Sequence, residues 1–224
     1  MKRLVLAWVA SLIVAGCGGG GGDVAAVTPA AESTTTYSTA KLFPLASMET
    51  TTFNLTGSDN AGGTWTGSWS LQGEGQTVFE GQNVTKISQQ VSLTLSGAAT
   101  ASSNVTSYYK ADRSLYKAIY TGSASGYATQ TNSFTAPLFY KIGDVATGPA
   151  LTSFINGVSE NQTTTYQVSD GGNGNAKVSG TLFYSTGNSA TTEQIITQAG
   201  ELVSMKMILH YPLLGRTVTL NGSR

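Results

Sequence analysis

The side chains able to do chemistry are few and scattered. His210 is the only histidine and Cys17 the only cysteine in 224 residues. A serine hydrolase needs a histidine to carry the proton between nucleophile and leaving group. His210 stands in Leu209-His210-Tyr211-Pro212, near the end of a strand pattern, with no serine context around it. A nucleophile elbow reads G-x-S-x-G, whereas Gly122-Ser123-Ala124-Ser125-Gly126 has alanine at the nucleophile's position. One His and one Cys cannot supply the N and S ligands of a zinc site. Asp170-Gly171-Gly172-Asn173-Gly174-Asn175 has the look of a calcium loop, but it lacks an oxygen-bearing side chain two positions after the Asp and the closing Glu. A glycoside hydrolase needs two converging carboxyl groups. The candidates are Asp59, Glu74, Glu80, Asp112, Asp144, Glu160, Asp170 and Glu201. Most of them stand beside Gly or Asn, where turns form, and no spacing draws two together. Gly73-Glu74-Gly75 opens like a dinucleotide fingerprint, but Val78 fills the position of its third glycine. The residues therefore predict a protein that is not an enzyme and has no cofactor and no metal.

Aromatic side chains offer binding rather than catalysis. Trp65 and Trp69, four apart, share a face if the segment is a strand. Buried, they are core; exposed, they could stack on a sugar ring or pack against a partner. Tyr116 and Tyr120 have the same spacing, with Lys110, Arg113 and Lys117 close by in the chain. These four aromatics are the candidate ligand-binding residues. Asn-x-Thr triplets begin at Asn54, Asn83, Asn104 and Asn161 and match a glycosylation acceptor. They read more simply as Thr-rich strands with Asn at turns.

The start of the chain is the most specific stretch. Met1-Lys2-Arg3 precedes thirteen residues from Leu4 to Gly16, which end in Val14-Ala15-Gly16-Cys17. A membrane-spanning helix needs ~20 apolar residues, so the run suits the apolar core of a signal peptide instead. The order resembles the signal peptide and lipobox of bacterial lipoproteins. That resemblance covers residues 1–17 and implies cleavage before Cys17 and acylation of Cys17. It also implies retention at the outer membrane, because Gly18 rather than Asp follows the cysteine. Two or three acyl chains hold a protein durably where one does not. The expected partners are the membrane, through Cys17, and an envelope protein or an apolar ligand.

Loss of residues 1–16 leaves 208 residues with ten basic against twelve acidic side chains. No basic stripe for nucleic acid is present. Charged residues make up 11% of the chain, and Thr and Ser take their place. Residues 18–22 are five glycines, and 23–40 are mainly Ala, Thr, Ser and Val. The expected organisation is a signal peptide over 1–16, an acylated cysteine with a flexible tether over 17–40, and a β-rich body over 41–224. In the body the hydrophobic period is two. Phe53 and Leu55 alternate with Thr52, Asn54 and Thr56, and Trp65, Gly67, Trp69 and Leu71 alternate with Thr and Ser. Hairpins are expected over 105–120, 163–184 and 191–211, a last strand over 216–220, and one or two helical turns over 148–156. The fold class follows: all-β and antiparallel, ten to twelve strands, at most one short helix. The strands would form a curved sheet or two packed meanders, half-barrel or sandwich-like. Tyr108-Tyr109 with Leu115-Tyr116-Lys117 has the internal spacing of Ile195-Ile196 with Leu202-Val203-Ser204. Two meanders or the limited vocabulary of hairpins would both produce that match.

The leading functional expectation is a lipid-anchored envelope protein whose β-domain binds or scaffolds a partner. A carrier of lipid or another apolar ligand is the alternative, and a carbohydrate-active enzyme a third reading. A filled interior would speak for the first and a continuous apolar cavity for the second.

Overall fold

The computed structural model describes residues 34–98 and 100–224. Cys17 and the expected signal peptide lie outside the described residues. Among those described there is no α-helix; fifteen strands account for the fold. The first is β1 (Thr36–Ser38), then β2 (Thr50–Asp59), β3 (Thr64–Phe79), β4 (Gln82–Leu95), β5 (Ala101–Tyr109), β6 (Leu115–Gly122) and β7 (Gly126–Gln130). They continue as β8 (Phe139–Lys141), β9 (Val145–Thr147), β10 (Leu151–Ile155), β11 (Val158–Gly172), β12 (Asn175–Tyr184), β13 (Ser189–Ile196), β14 (Leu202–Tyr211) and β15 (Arg216–Ser223). A 3-10 turn at Pro212–Leu214 is the short helical element.

Twelve strands form a closed antiparallel ring in the order β10-β7-β6-β5-β4-β3-β2-β15-β14-β13-β12-β11, sealed by pairing of β10 with β11. Closure removes the unpaired edges that invite aggregation. β9 pairs with β11 beyond the end of β10, and β1 pairs with β8 in a separate two-stranded ladder. The expected all-β antiparallel fold is what the structure has, and the curved sheet goes on to close.

Alternation decides the inside. Phe53, Leu55, Trp65, Trp69, Leu71, Ile87, Val91, Leu93, Met207, Leu209, Val218 and Leu220 point inward and are 0–3% exposed. Their neighbours Thr52, Asn54, Thr64, Thr66, Ser68, Thr217 and Thr219 point outward. A membrane-spanning barrel carries an apolar band outside and polar residues within. Here the polarity is reversed, with the apolar lining turned inward.

The chain that enters the fold closes one end of the barrel. Tyr37, Leu42, Phe43, Phe134, Ala136 and Tyr140 belong to the segments around β1 and β8 and are buried in the core. Ser38 N–H donates to Gln198 O at the β13–β14 turn, and Thr39 N–H to Leu138 O. The backbone at Pro44 and Ser47 passes so close to Gly73 that a side chain there would collide with their carbonyls. The described fold thus already includes β1, ahead of the expected start at residue 41: Tyr37 and Thr39 are buried. A single large side chain in a polar run was enough to anchor a strand that composition alone would leave in the tether.

A second correction concerns residues 148–156. Leu151–Ile155 form β10 rather than helical turns, and Asn156-Gly157 makes a tight hairpin with both φ angles positive, 52° and 82°. That is the backbone of a type I′ turn, which matches the twist of paired strands. Glu80-Gly81 and Asn173-Gly174 do the same at the β3–β4 and β11–β12 turns. The Asp170–Asn175 loop is thus a hairpin turn, with the Asp170 carboxylate accepting from Gly172 N–H. Asn54, Asn104 and Asn161 lie within strands rather than at turns.

The matched motifs are matched structures. Tyr108 pairs with Lys117 and Tyr109 with Leu115, so Tyr116 is an extra, bulged residue. Ile195 pairs with Ser204 and Ile196 with Leu202, so Val203 is bulged in the same way. The hairpins β5–β6 and β13–β14 lie six places apart in the twelve-strand ring. Two six-strand meanders thus face each other across the barrel.

Candidate binding surface on the outer wall

Of the four candidate aromatics, three are inside. Trp69 is 2% exposed and packs against Phe53 at a centroid distance of 5.9 Å. Trp65 is 3% exposed, and its Nε1–H donates to Asp59 Oδ2 at 2.7 Å. Tyr120 is 1% exposed. Tyr116 is outside. The expected common face of Tyr116 and Tyr120 does not form, because the bulge puts an extra residue into β6 and breaks the alternation between them. These four residues therefore do not form one ligand-binding surface.

The structure assembles a different surface around Tyr116. A bulge at Gly73/Gly75 bends the β3–β4 hairpin, and its tip rests on the outer wall over β5 and β6. Phe79 at the tip stacks on Tyr108 with centroids 3.8 Å apart and meets Tyr116 edge-on at 6.3 Å. Glu80 fixes the tip: Tyr116 Oη–H donates to Glu80 Oε2 at 3.0 Å, and Lys117 Nζ donates to Oε1 at 2.5 Å. These hydrogen bonds hold the Glu80 carboxyl below its ordinary range and raise Lys117 and Tyr116 above theirs. The Lys117 ammonium lies 5.8 Å from the Phe79 ring and 5.3 Å from that of Tyr127 on β7. Tyr127 adjoins Phe154 on β10 at 6.2 Å. The result is a stripe of Tyr108, Phe79, Lys117, Tyr127 and Phe154 across five elements. Tyr127 and Phe154 are 44% and 45% exposed, two adjoining aromatic rings on the outer wall. Aromatic rings flanking a cation suit binding, since each ring supplies contact area at little entropic cost. Sequence reasoning found Tyr116 and Lys117 but missed Phe79, Tyr127 and Phe154, which lie on three other strands. Each signal was an isolated aromatic at a polar-face position.

The acidic residues are dispersed. Asp59 accepts from Trp65, Arg216 and the backbone N–H groups of Ala61 and Gly63. Burial pushes its carboxyl up, but these donors outweigh burial and hold it at about 2. Glu160, 6% exposed, is raised by burial against the opposing hydrogen bonds from Thr186. Glu74 pairs with Lys86 at 2.5 Å, Asp112 accepts from Ser114, Asp144 from Lys141 N–H, and Glu201 faces Lys41. Most carboxylates are committed to separate local partners, while Glu49 and Glu201 meet on the same Lys41 ammonium. Among the described residues no three His, Cys, Asp or Glu side chains converge as a metal site would need. His210 lies outside, its Nδ1 3.0 Å from Thr217 Oγ1.

The interior is filled by its own lining. A ligand-sized void would leave the side chains around it open to a water-sized sphere, whereas inward Trp65, Trp69, Tyr109 and Tyr120 are only 1–3% exposed. Polar atoms do occur there: Gln162 Nε2 donates to Ser153 Oγ at 2.8 Å, and Gln89, Ser103 and Thr164 also face inward. Comparison with protein-family models, curated proteins and solved structures finds no match.

Proposed function

We propose that this chain is a non-enzymatic lipoprotein of the cell envelope that binds an envelope protein through the aromatic stripe on its outer wall. The lipobox-like run ending at Cys17 supports anchoring by acyl chains at the outer membrane. The stripe carries the binding reading, because the exposed rings of Tyr127 and Phe154 adjoin each other beside Lys117, which the Glu80 clamp holds in place. A carrier of lipid or another apolar ligand is disfavoured by inward side chains that fill the space between the walls. A carbohydrate-active enzyme is disfavoured because most carboxylates are tied to separate partners, and the pair that converges, Glu49 and Glu201, is bridged by the Lys41 ammonium.

The test is a capture experiment from envelope extracts with the wild-type chain and a Tyr127→Ala/Phe154→Ala double variant. Both substitutions remove partly exposed rings, so the variant should keep the wild-type circular dichroism. A protein retained by wild type and lost by the variant is the expected result. Identical captures by the two chains would overturn the stripe as the binding surface.

A further inference from the structure

We infer that the barrel sits with its plugged end against the bilayer and inserts Leu138, Phe139 and Val145 into the lipid interface. This rests on the anchor reading above and concerns a surface separate from the stripe. The chain enters the fold at this end, where Thr36 pairs with Lys141 and Ser38 with Phe139. Cys17 precedes Thr34, the first described residue, by seventeen positions. Seventeen residues cannot span more than ~60 Å even fully extended. An acylated Cys17 therefore holds the entry end near the membrane.

That end presents apolar side chains to its surroundings. Leu138, Phe139 and Val145 are 60%, 57% and 62% exposed, on one short segment running from before β8 into β9. The segment is held rigidly. Arg113 donates to Ala136 O at 2.7 Å and to Pro137 O at 2.8 Å, just before Leu138. Asp144 Oδ2 accepts from Lys141 N–H at 2.7 Å and closes the turn between the strands. Phe139 and Lys141 point the same way from β8, with Tyr140 buried between them. An aromatic ring beside an exposed lysine suits the lipid interface, where the ring enters the acyl boundary and the ammonium stays at the phosphates. Acidic Asp112 and Asp144 share this end with Lys110 and Lys141, so charge does not dominate, and apolar insertion carries the contact.

The experiment reconstitutes the acylated mature protein in phosphatidylcholine vesicles containing lipids brominated high on their chains. One variant is Phe139→Trp; its control is Leu213→Trp on the β14–β15 turn at the opposite rim, where Leu213 is 85% exposed. Native Trp65 and Trp69 are buried and set a constant background. Quenching of the Phe139→Trp emission, with Leu213→Trp unchanged and neither altered by high salt, is expected. Leu138→Trp gives the same reading if Phe139→Trp misfolds by circular dichroism. Flotation with the vesicles and an acyl mass on Cys17, but no quenching at either position 138 or 139 or equal quenching at 213, overturns this orientation and leaves the anchor standing. A protein without acyl chains that does not float overturns both.

Discussion

Asp59 and Glu160 are buried carboxylates at the same rim of the barrel, and their surroundings drive them in opposite directions. Asp59 is more acidic in the fold than its ordinary 3.8, at about 2. The unfolded chain therefore takes up a proton first as pH falls. The stabilisation from Asp59 is complete above roughly pH 5 and is lost on the way down to about pH 2. Asp59→Asn should lower the thermal midpoint at neutral pH and flatten that acid limb. Glu160 is raised by burial, so the native state holds its proton at higher pH than the unfolded chain does. Stability falls as pH rises through its titration. Glu160→Gln keeps an acceptor for Thr186 and should raise the midpoint at pH 7, with the gain vanishing below the ordinary carboxylate range. Thermal melts of the two variants from pH 2 to 8 check both signs. Trp69 has no polar role: Trp69→Ala should cost about 3–5 kcal/mol through the cavity it leaves, read as a lower denaturant midpoint. An unchanged midpoint would remove Trp69 from the core.

Among the elements, the β10–β11 hairpin has a role beyond its size, because it seals the ring. Its five-residue strand β10 is held by β7 on one side and β11 on the other. The turn at Asn156-Gly157 requires two positive φ angles in succession. Gly157→Val forces a β-branched side chain into that region at a cost of about 1–2 kcal/mol. The expected outcome is faster amide exchange across β10 and the start of β11, with β2, β3 and β15 protected as before. Uniform acceleration of every strand would show that the seam does not open on its own. The period-two alternation was legible in β2 and β3, and the hairpins over 105–120, 163–184 and 191–211 were legible too, whereas β1 and β10 were not. The bulge at Tyr116 was not legible, because one additional residue leaves composition and spacing almost unchanged while turning every following side chain to the other face.

For the molecule as a whole, the proposed anchor at Cys17 lies apart in sequence from the described body. The described core begins at Tyr37, twenty positions after Cys17. Cys17→Ser should therefore release the protein from membranes while leaving its circular dichroism and denaturant midpoint unaltered. Persistence in the membrane fraction after a high-salt wash would defeat the acyl-anchor reading. The two meanders, with equal bulges six strands apart, make the barrel a near-symmetric body, yet the stripe lies mainly on the β2–β7 meander and reaches the other only at Phe154 on β10. Phe79, Tyr108, Lys117 and Tyr127 have their ring counterparts on β11 to β15, where no equivalent aromatic stripe is assembled among the described residues.

Alternation of large apolar and hydroxyl side chains, tight turns marked by Gly and Asn, and the lack of helical periodicity were enough for an all-β antiparallel body with Trp65 and Trp69 facing the same way. These are local properties, set by a backbone that turns each side chain over at every residue. Closure depended on β2 pairing with β15 from the other end of the chain, and on β7 pairing with β10 across the intervening β8 and β9. The stripe depended on the β3–β4 hairpin folding back across β5 and β6. Both are contacts between distant parts of the chain, and their geometry comes from accumulated strand twist and two bulges, which leave no periodic trace in the order of residues.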